Sequence, residues 1–512
     1  MYTAAHTSRC LLACAFLILS AAPALGQAAF RGFWADAFHT GFKSTAQIDT
    51  MVARAKQGNY NAIIAEVLAY HDRGAGAHGA YWNSAILPKA ADISGNIDPL
   101  AYLCQKAHAE GIEVHAWLVT YRAWTVWPPP NNPLLASHPE WFMVPLANMG
   151  NGPAKVGNVY VLDPGCPEVQ EYLVSIVREL VTNYPIDGIN WDYIRYTQVD
   201  AGYPADASYE NSGLARFRRI TGFVGTPATN NAAWSNFRRR TIDELVRRCR
   251  AEIAAIDNPR QPLRHTADLV CFGNPPANFN NSDAYLLHQN WRHWMEMGWL
   301  DAAIPMNYKD DRTHFNQYRA WINAALGWRY NRHLFCGQGN YLNSKANSLA
   351  QLQYIYAQGA DGSVNYSYAS TADENDDGVE EADFSFYPYV AEHIFTSPVP
   401  TPPMPWRDPA TATEGTLWGR VTEYEDGKPI DDATVQIGGL PPVYTDGNGY
   451  YVVTLIPAVA GGTSYNVTVT KAGYPQAAAG SVQVFAGGIT RRDIVLGPPN
   501  PPVIKEVAPD PD

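Results

Sequence analysis

The chain has 512 residues, with 49 Asp or Glu against 37 Lys or Arg, giving a formal net charge of −12. That acidic balance, with no Lys/Arg run beyond Arg238-Arg239-Arg240, argues against a nucleic-acid partner. Aromatic usage is heavy, at 15 Trp and 30 Tyr, which suits a carbohydrate groove and equally suits a large core.

In chain order, Arg9, the apolar run Leu11 to Leu19 and the small residues up to Gly26 read as a secretory signal peptide over 1–26. No Cys follows the small-residue site, so no lipid anchor is expected. The mature protein is expected to be secreted, periplasmic or held in the cell envelope, without membrane insertion. A strand is predicted near Arg31–Ala35. The helix after it opens at Ser44, with Gln47 placed for a capping box and Ile48, Met51, Val52 and Ala55 on one stripe. Further strands fall near Asn61–Val67, Glu113–Val119, Ile186–Tyr193, Leu263–Leu269, Ala302–Tyr308, Leu334–Gly337 and Gly362–Tyr366. A helix opening at Pro167 repeats Val169, Leu173, Ile176, Val177 and Leu180 before the fourth strand. These β/α units predict an α/β fold, a (β/α)8 TIM barrel over 28–396. A doubly wound open sheet is the alternative, with no GxGxxG or P-loop pattern to favour it.

The Pro-rich stretch 397–412 predicts an extended, semi-rigid linker. Beyond it, short Val/Thr/Tyr runs with Asp446-Gly447 and Asn448-Gly449 turns predict a small β-sandwich over 413–497. The Pro- and acid-rich stretch 498–512 predicts a disordered tail. Past the signal, Cys104, Cys166, Cys249, Cys271 and Cys336 are widely spaced, which predicts buried thiols with at most one disulfide and no zinc site. Asp373 to Gly378 has the start of an EF-hand loop, but Phe384 stands where the distal Glu belongs, so an acidic solvated loop is expected. The Arg triplet at 238–240 reads as a solvated helical face.

The run Asp187 to Tyr196 carries the chemistry. Strand alternation puts Ile189 and Trp191 on one face and Gly188, Asn190 and Asp192 on the other, with Asp192 at the carboxyl end, where barrel enzymes keep their active sites. Glu66, His115, Trp117, Arg122 and Tyr308 also fall at or just past strand ends. Carboxylates, His, Arg and aromatics on one rim are what glycosidic cleavage needs. Asp187 and Asp301 fall at strand starts, the stability face.

Four segments make the likeness specific: Arg31-Gly32-Phe33-Trp34; Gly111 to Trp117 with Tyr121-Arg122; His138-Pro139-Glu140-Trp141 leading to Leu162-Asp163-Pro164-Gly165; and Asp187 to Tyr196. With them the chain, from about Phe30 to Ile394, resembles the glycosyl hydrolase-like 10 family, a bacterial group that includes enzymes acting on peptidoglycan glycan strands. The resemblance implies a TIM barrel, a polysaccharide substrate and Asp192 as the catalytic carboxylate of the fourth strand. On this reading Asp192 is nucleophile or base and Glu66 the acid, with Asp268, Asp310 and Asp311 as competitors. His115, Trp117, Tyr121, Arg122, Asn190, Tyr193, Tyr308 and Asp310 would line the sugar site, with no metal and no cofactor. Departures from the family pattern at Glu66, Leu68, Val119-Thr120, Asn190, Thr197 and Met306 leave a second reading open, a barrel that binds glycan without cutting it. The segment after the linker resembles the carboxypeptidase regulatory-like module, as a spacer or an adhesion domain.

Overall fold

The computed structural model describes residues 28–74 and 76–497. The expected signal peptide and tail lie outside the described residues.

Eight parallel strands close into a barrel: β1 (Phe30–Ala35), β2 (Ala62–Leu68), β3 (Glu113–Val119), β4 (Gly188–Asp192), β5 (Arg264–Leu269), β6 (Ala302–Pro305), β7 (His333–Gly339) and β8 (Gly362–Tyr366). Neighbours in the ring are neighbours in sequence, and β8 closes on β1. This is the TIM barrel expected from the strand pattern. β6 stops earlier than its apolar run suggests, because tight turns at Asn307 and Tyr308 follow Pro305. Helix α1 (Thr45–Gln57) starts at Ser44, which accepts from Gln47 N. The Gln47 side chain reaches back past Ser44 to the N–H groups of Gly41 and Lys43, a wider version of the expected capping box. Helix α2 (Pro167–Asn183) starts at its proline as predicted.

Strand parity divides two cores. Ile189 and Trp191 face the helices with the outer core. Phe30, Trp34, Ile64, Trp117, Ile304, Phe335 and Val364 fill the barrel. Close packing forces glycine at one inner position. A Cβ at Gly188 would lie 2.7 Å from the Arg264 carbonyl oxygen and collide with the His115 ring. Gly188→Ala is therefore expected to destabilise the barrel by about 1–3 kcal/mol, read as a lower denaturation midpoint at unchanged slope.

The Pro-rich stretch is extended, but it is docked rather than free. Pro400 and Val399 carbonyls accept from Ala29 N and the Asn61 amide, Pro402 accepts from Arg264, and Trp406 donates to Asp301. Prolines keep their carbonyl acceptors, and the barrel floor presents the donors. The strap ends in two small sheets that share one core, the expected sandwich.

The Arg triplet is not a solvated face. It lies on helix α3 (Ala232–Ala255), against which the sandwich packs. Arg238 is buried on the carbonyls of Val199, Ala201 and Thr229, and Arg240 pairs with Asp432 of the sandwich. Arg216 bridges Glu244 of α3 and Asp431. A helix face reads as solvated from sequence when its cover comes from a second domain. The five described cysteines are all buried and unpaired. Among the described residues, no helix is long and apolar enough to cross a membrane.

Candidate active site

Parity also sets the mouth. On β4, Asp192 points inward. The register pairs Asn190 with Thr266 and Trp191 with Ala267, so Asp268 on β5 stands beside Asp192 at the same height. Glu66 comes from β2 by the same alternation. These three carboxylates line one open cavity of about 480 Å³ at the carboxyl ends of the strands. Its walls differ. From β2 to β5 come Glu66, Trp117, Arg122, Asp192, Arg195 and Asp268; from β6 to β8 and their loops come Met306, Tyr308, Lys309, Tyr341 and Tyr366. The three tyrosines form one cluster, with Tyr366 5.2 Å from Tyr308 and 5.9 Å from Tyr341 between ring centroids.

Asp192 is firmly held. Its side chain accepts from Tyr193 N at 2.6 Å, and its carbonyl accepts twice from Thr120, at 2.8 and 2.7 Å. Tyr193 turns the chain away with φ of +49°, a left-handed conformation that a tyrosine adopts only at a cost in strain. Its ring is clamped between the guanidinium groups of Arg122 and Arg195, each 4.4 Å from the centroid.

Burial raises the pKa of all three acids, but unequally. Glu66 is pushed well above the usual carboxylate range by burial and by the charges of Asp36 and Asp192, against the Ala37 N–H it accepts at 2.8 Å. Asp268 is also pushed well above it, by burial and then by Asp192, with the Asn190 amide and the Trp34 indole N–H opposing. Burial lifts Asp192 less far, because Arg195, the Tyr193 N–H, Arg122 and the Trp117 indole all favour its charge. Of the three, Asp192 is the carboxylate whose charged form has the most partners, and Glu66 and Asp268 are the two more strongly biased toward the protonated form.

Among the residues expected at the sugar site, Trp117, Arg122, Tyr193 and Tyr308 line this cavity with Asp192 and Glu66. Four others do not. His115 is buried deep in the barrel, edge-on to Phe30 and bonded to Glu113 at 3.1 Å. Asn190 lies one layer below the mouth, accepting from Thr266 at 2.8 Å. Tyr121 belongs to the outer core, because the chain has left the barrel wall by that point. Asp310 caps the helix Asp311–Trp328 and is satisfied by Arg312 and Thr313. Asp311 pairs with Arg319. Asp187 and Asp301 bond to His108 and to Arg250 at the opposite end of the barrel.

Tyr366 and Asp268 carried a sequence signal, since each ends the inward series of its strand. Phe38 and Phe272 sit in loops and Tyr341 in the short 3-10 turn Asn340–Leu342, where strand parity gives no direction. Among the described residues, no group of three or more His, Cys, Asp or Glu could hold a metal ion. In the acidic loop, Asp373 turns its carboxylate onto the N–H groups of Asp377 and Gly378, and Arg312 pairs with Asp376.

The model of the glycosyl hydrolase-like 10 family matches residues 29–348. The chain belongs to that family. A carboxypeptidase regulatory-like domain matches residues 416–497. Of the curated relatives, glycosyl hydrolase YngK of Bacillus subtilis is 25% identical over 403 residues, which is 72% of this chain and 70% of that one. Glycosyl hydrolase DigH of Escherichia coli K12 is 28% identical over 256 residues, 45% of this chain and 52% of that one. The match thus spans about half of DigH. In fold the chain is also similar to alpha-L-fucosidase isoenzyme 2 from Paenibacillus thiaminolyticus, with a TM-score of 0.48 at 14% identity, covering 78% of this chain and 52% of that one. Family and curated relatives support a glycoside hydrolase-like function with a carbohydrate substrate. Within the glycosyl hydrolase-like 10 match lie β1 to β7, and with them all three mouth carboxylates.

Proposed function

We propose that this protein is an exported glycoside hydrolase that cuts O-glycosidic bonds of a polysaccharide by a two-carboxylate mechanism, with denuded peptidoglycan glycan strands as substrate. The observation that carries the reading is the convergence of Asp192, Glu66 and Asp268 on one aromatic-walled cavity, with Arg195 and Arg122 favouring the charge of Asp192 and burial opposing that of Glu66 and Asp268. Asp192, ionised, attacks the anomeric carbon or takes the proton of the attacking water. Glu66, protonated, donates to the leaving oxygen. Asp268 stands on the strand next to Asp192, whereas Glu66 stands two strands away along the same wall, and that wider separation across the bond favours Glu66 as the acid. An idle binding barrel has no need of two buried acids beside Asp192.

Charge supports the substrate. Arg122, Arg195 and Lys309 line the cavity, and burial disfavours the charged forms of Glu66 and Asp268 beside them. That leaves positive charge for an anionic substituent, and denuded peptidoglycan strands carry a lactyl carboxylate on alternate sugars. The signal-like start of the sequence supports export to where such strands occur.

The acid assignment has its own test. Glu66→Gln should lose a factor on the order of 10²–10⁴ in kcat on the natural glycan. It should lose far less on an aryl glycoside whose leaving group needs no proton, and the alkaline limb of its pH profile should vanish. That limb follows from the sign of the shift. The acid works protonated, so activity falls as pH rises through its elevated pKa. Asp268→Asn should keep the limb. The reverse ranking would move the acid to Asp268. Wild-type protein that cleaves neither substrate would remove the enzymatic reading.

A further inference from the structure

Phe38 and Phe272 are exposed apolar side chains at the cavity, 59% and 49% accessible. A single exposed apolar residue needs no explanation, and Val224, at 91%, is one of that kind. These two differ in how their backbones are held. Phe38 follows β1, and the buried Asp36 carboxylate accepts from the N–H groups of Phe38 and His39, at 3.1 and 3.0 Å. The other Asp36 oxygen accepts from Ser367 at 2.9 Å. Phe272 follows β5. The carbonyls on either side of it are bound, Cys271 by Lys309 at 3.1 Å and Gly273 by the Trp321 indole at 2.8 Å. Both loops are therefore built to hold a phenyl ring out in water.

In a closed ring of eight strands, β1 and β5 stand opposite each other. Phe38 and Phe272 thus sit at the two ends of a groove whose sides are the carboxylate wall of β2 to β5 and the tyrosine wall of β6 to β8. A pyranose ring presents a flat C–H face that stacks on a phenyl ring, and a polar sugar edge can still reach water there.

Resting on the hydrolase reading, we infer that Phe38 and Phe272 are sugar-stacking platforms that hold a glycan chain across the mouth, from the loop after β1 to the loop after β5. The chain extends past the cleaved bond in both directions, so the cut falls inside it.

The test uses the full chain and denuded peptidoglycan strands. Wild-type protein should shorten the strands to oligosaccharides, with average length falling early in the reaction. Phe38→Ala and Phe272→Ala should each raise KM for the strands about tenfold, while kcat falls less than twofold. Phe485→Ala, an exposed phenylalanine on the sandwich, is the control and should change neither. A KM within twofold of wild type in both variants overturns the platforms, as does release of single end sugars at constant strand length. Co-sedimentation of strand-bound protein, run on the same variants, decides the platforms separately from catalysis. If no protein hydrolyses strands but the two Ala variants bind them tenfold more weakly, the hydrolase reading fails and the platforms stand. Equal binding by all variants defeats the platforms.

Discussion

Asp192→Asn is expected to lower kcat on the polysaccharide by a factor on the order of 10³ or more, because it removes the mouth carboxylate whose charged form Arg195, the Tyr193 N–H and Arg122 favour. Asn keeps the shape and can still accept from Tyr193 N, while Thr120 continues to hold the carbonyl of residue 192. The strand end should therefore stay in place. Arg195 loses its main counter-charge, so a modest fall in stability accompanies the kinetic loss. The check is reducing-end release at saturating glycan, with unfolding followed in parallel. A folded Asn variant that retains more than a tenth of wild-type kcat would move the nucleophile or base elsewhere in the cavity.

The second large effect is on stability. Glu244 is buried on α3 and accepts from Arg216 and Arg240. Burial opposes its ionisation, but Arg216 and then Arg240 overcome this and bring its pKa from 4.5 to about 2. Because the folded value is depressed, the stability this group lends is fully present above about 4.5 and is lost as pH falls through about 2. Glu244→Gln leaves Arg216 with Asp431 alone and Arg240 with Asp432 alone. A cost of about 3–5 kcal/mol is expected, the usual result of taking one partner from a buried pair. Denaturant unfolding at neutral pH measures it, and the gap between variant and wild type should narrow in strong acid. A loss below about 1 kcal/mol would mean that the sandwich is held mainly by its apolar contact of Trp418, Tyr450 and Val452 with Ala251.

The barrel was legible because period-two alternation and helical stripes agree along the whole region. Each of the eight strands falls where its apolar run lies, with end shifts such as the early stop at Pro305. Parity says which face a residue takes, and on the fourth strand it puts Asp192 inward. Parity does not say how deep. His115 and Asn190 share the inward face but lie below the mouth, since depth depends on strand tilt and register around the closed ring. Tyr121 shows the other limit, because alternation ends where the strand ends. Phe38 takes its direction from Asp36, two residues back, and Asp36 is in turn held by Ser367 from the far end of the barrel sequence. The docking of the sandwich on α3 was hidden for a related reason. Its ion pairs join residues some two hundred positions apart, Arg216 with Asp431 and Arg240 with Asp432, and neither partner is unusual by itself.

The most direct measurement is release of new reducing ends by wild-type protein from denuded peptidoglycan strands and a panel of plant and bacterial polysaccharides. The account predicts cleavage, with the denuded strands as the preferred substrate. Binding of the strands with no new ends on any glycan would contradict it and make this barrel a glycan-binding domain.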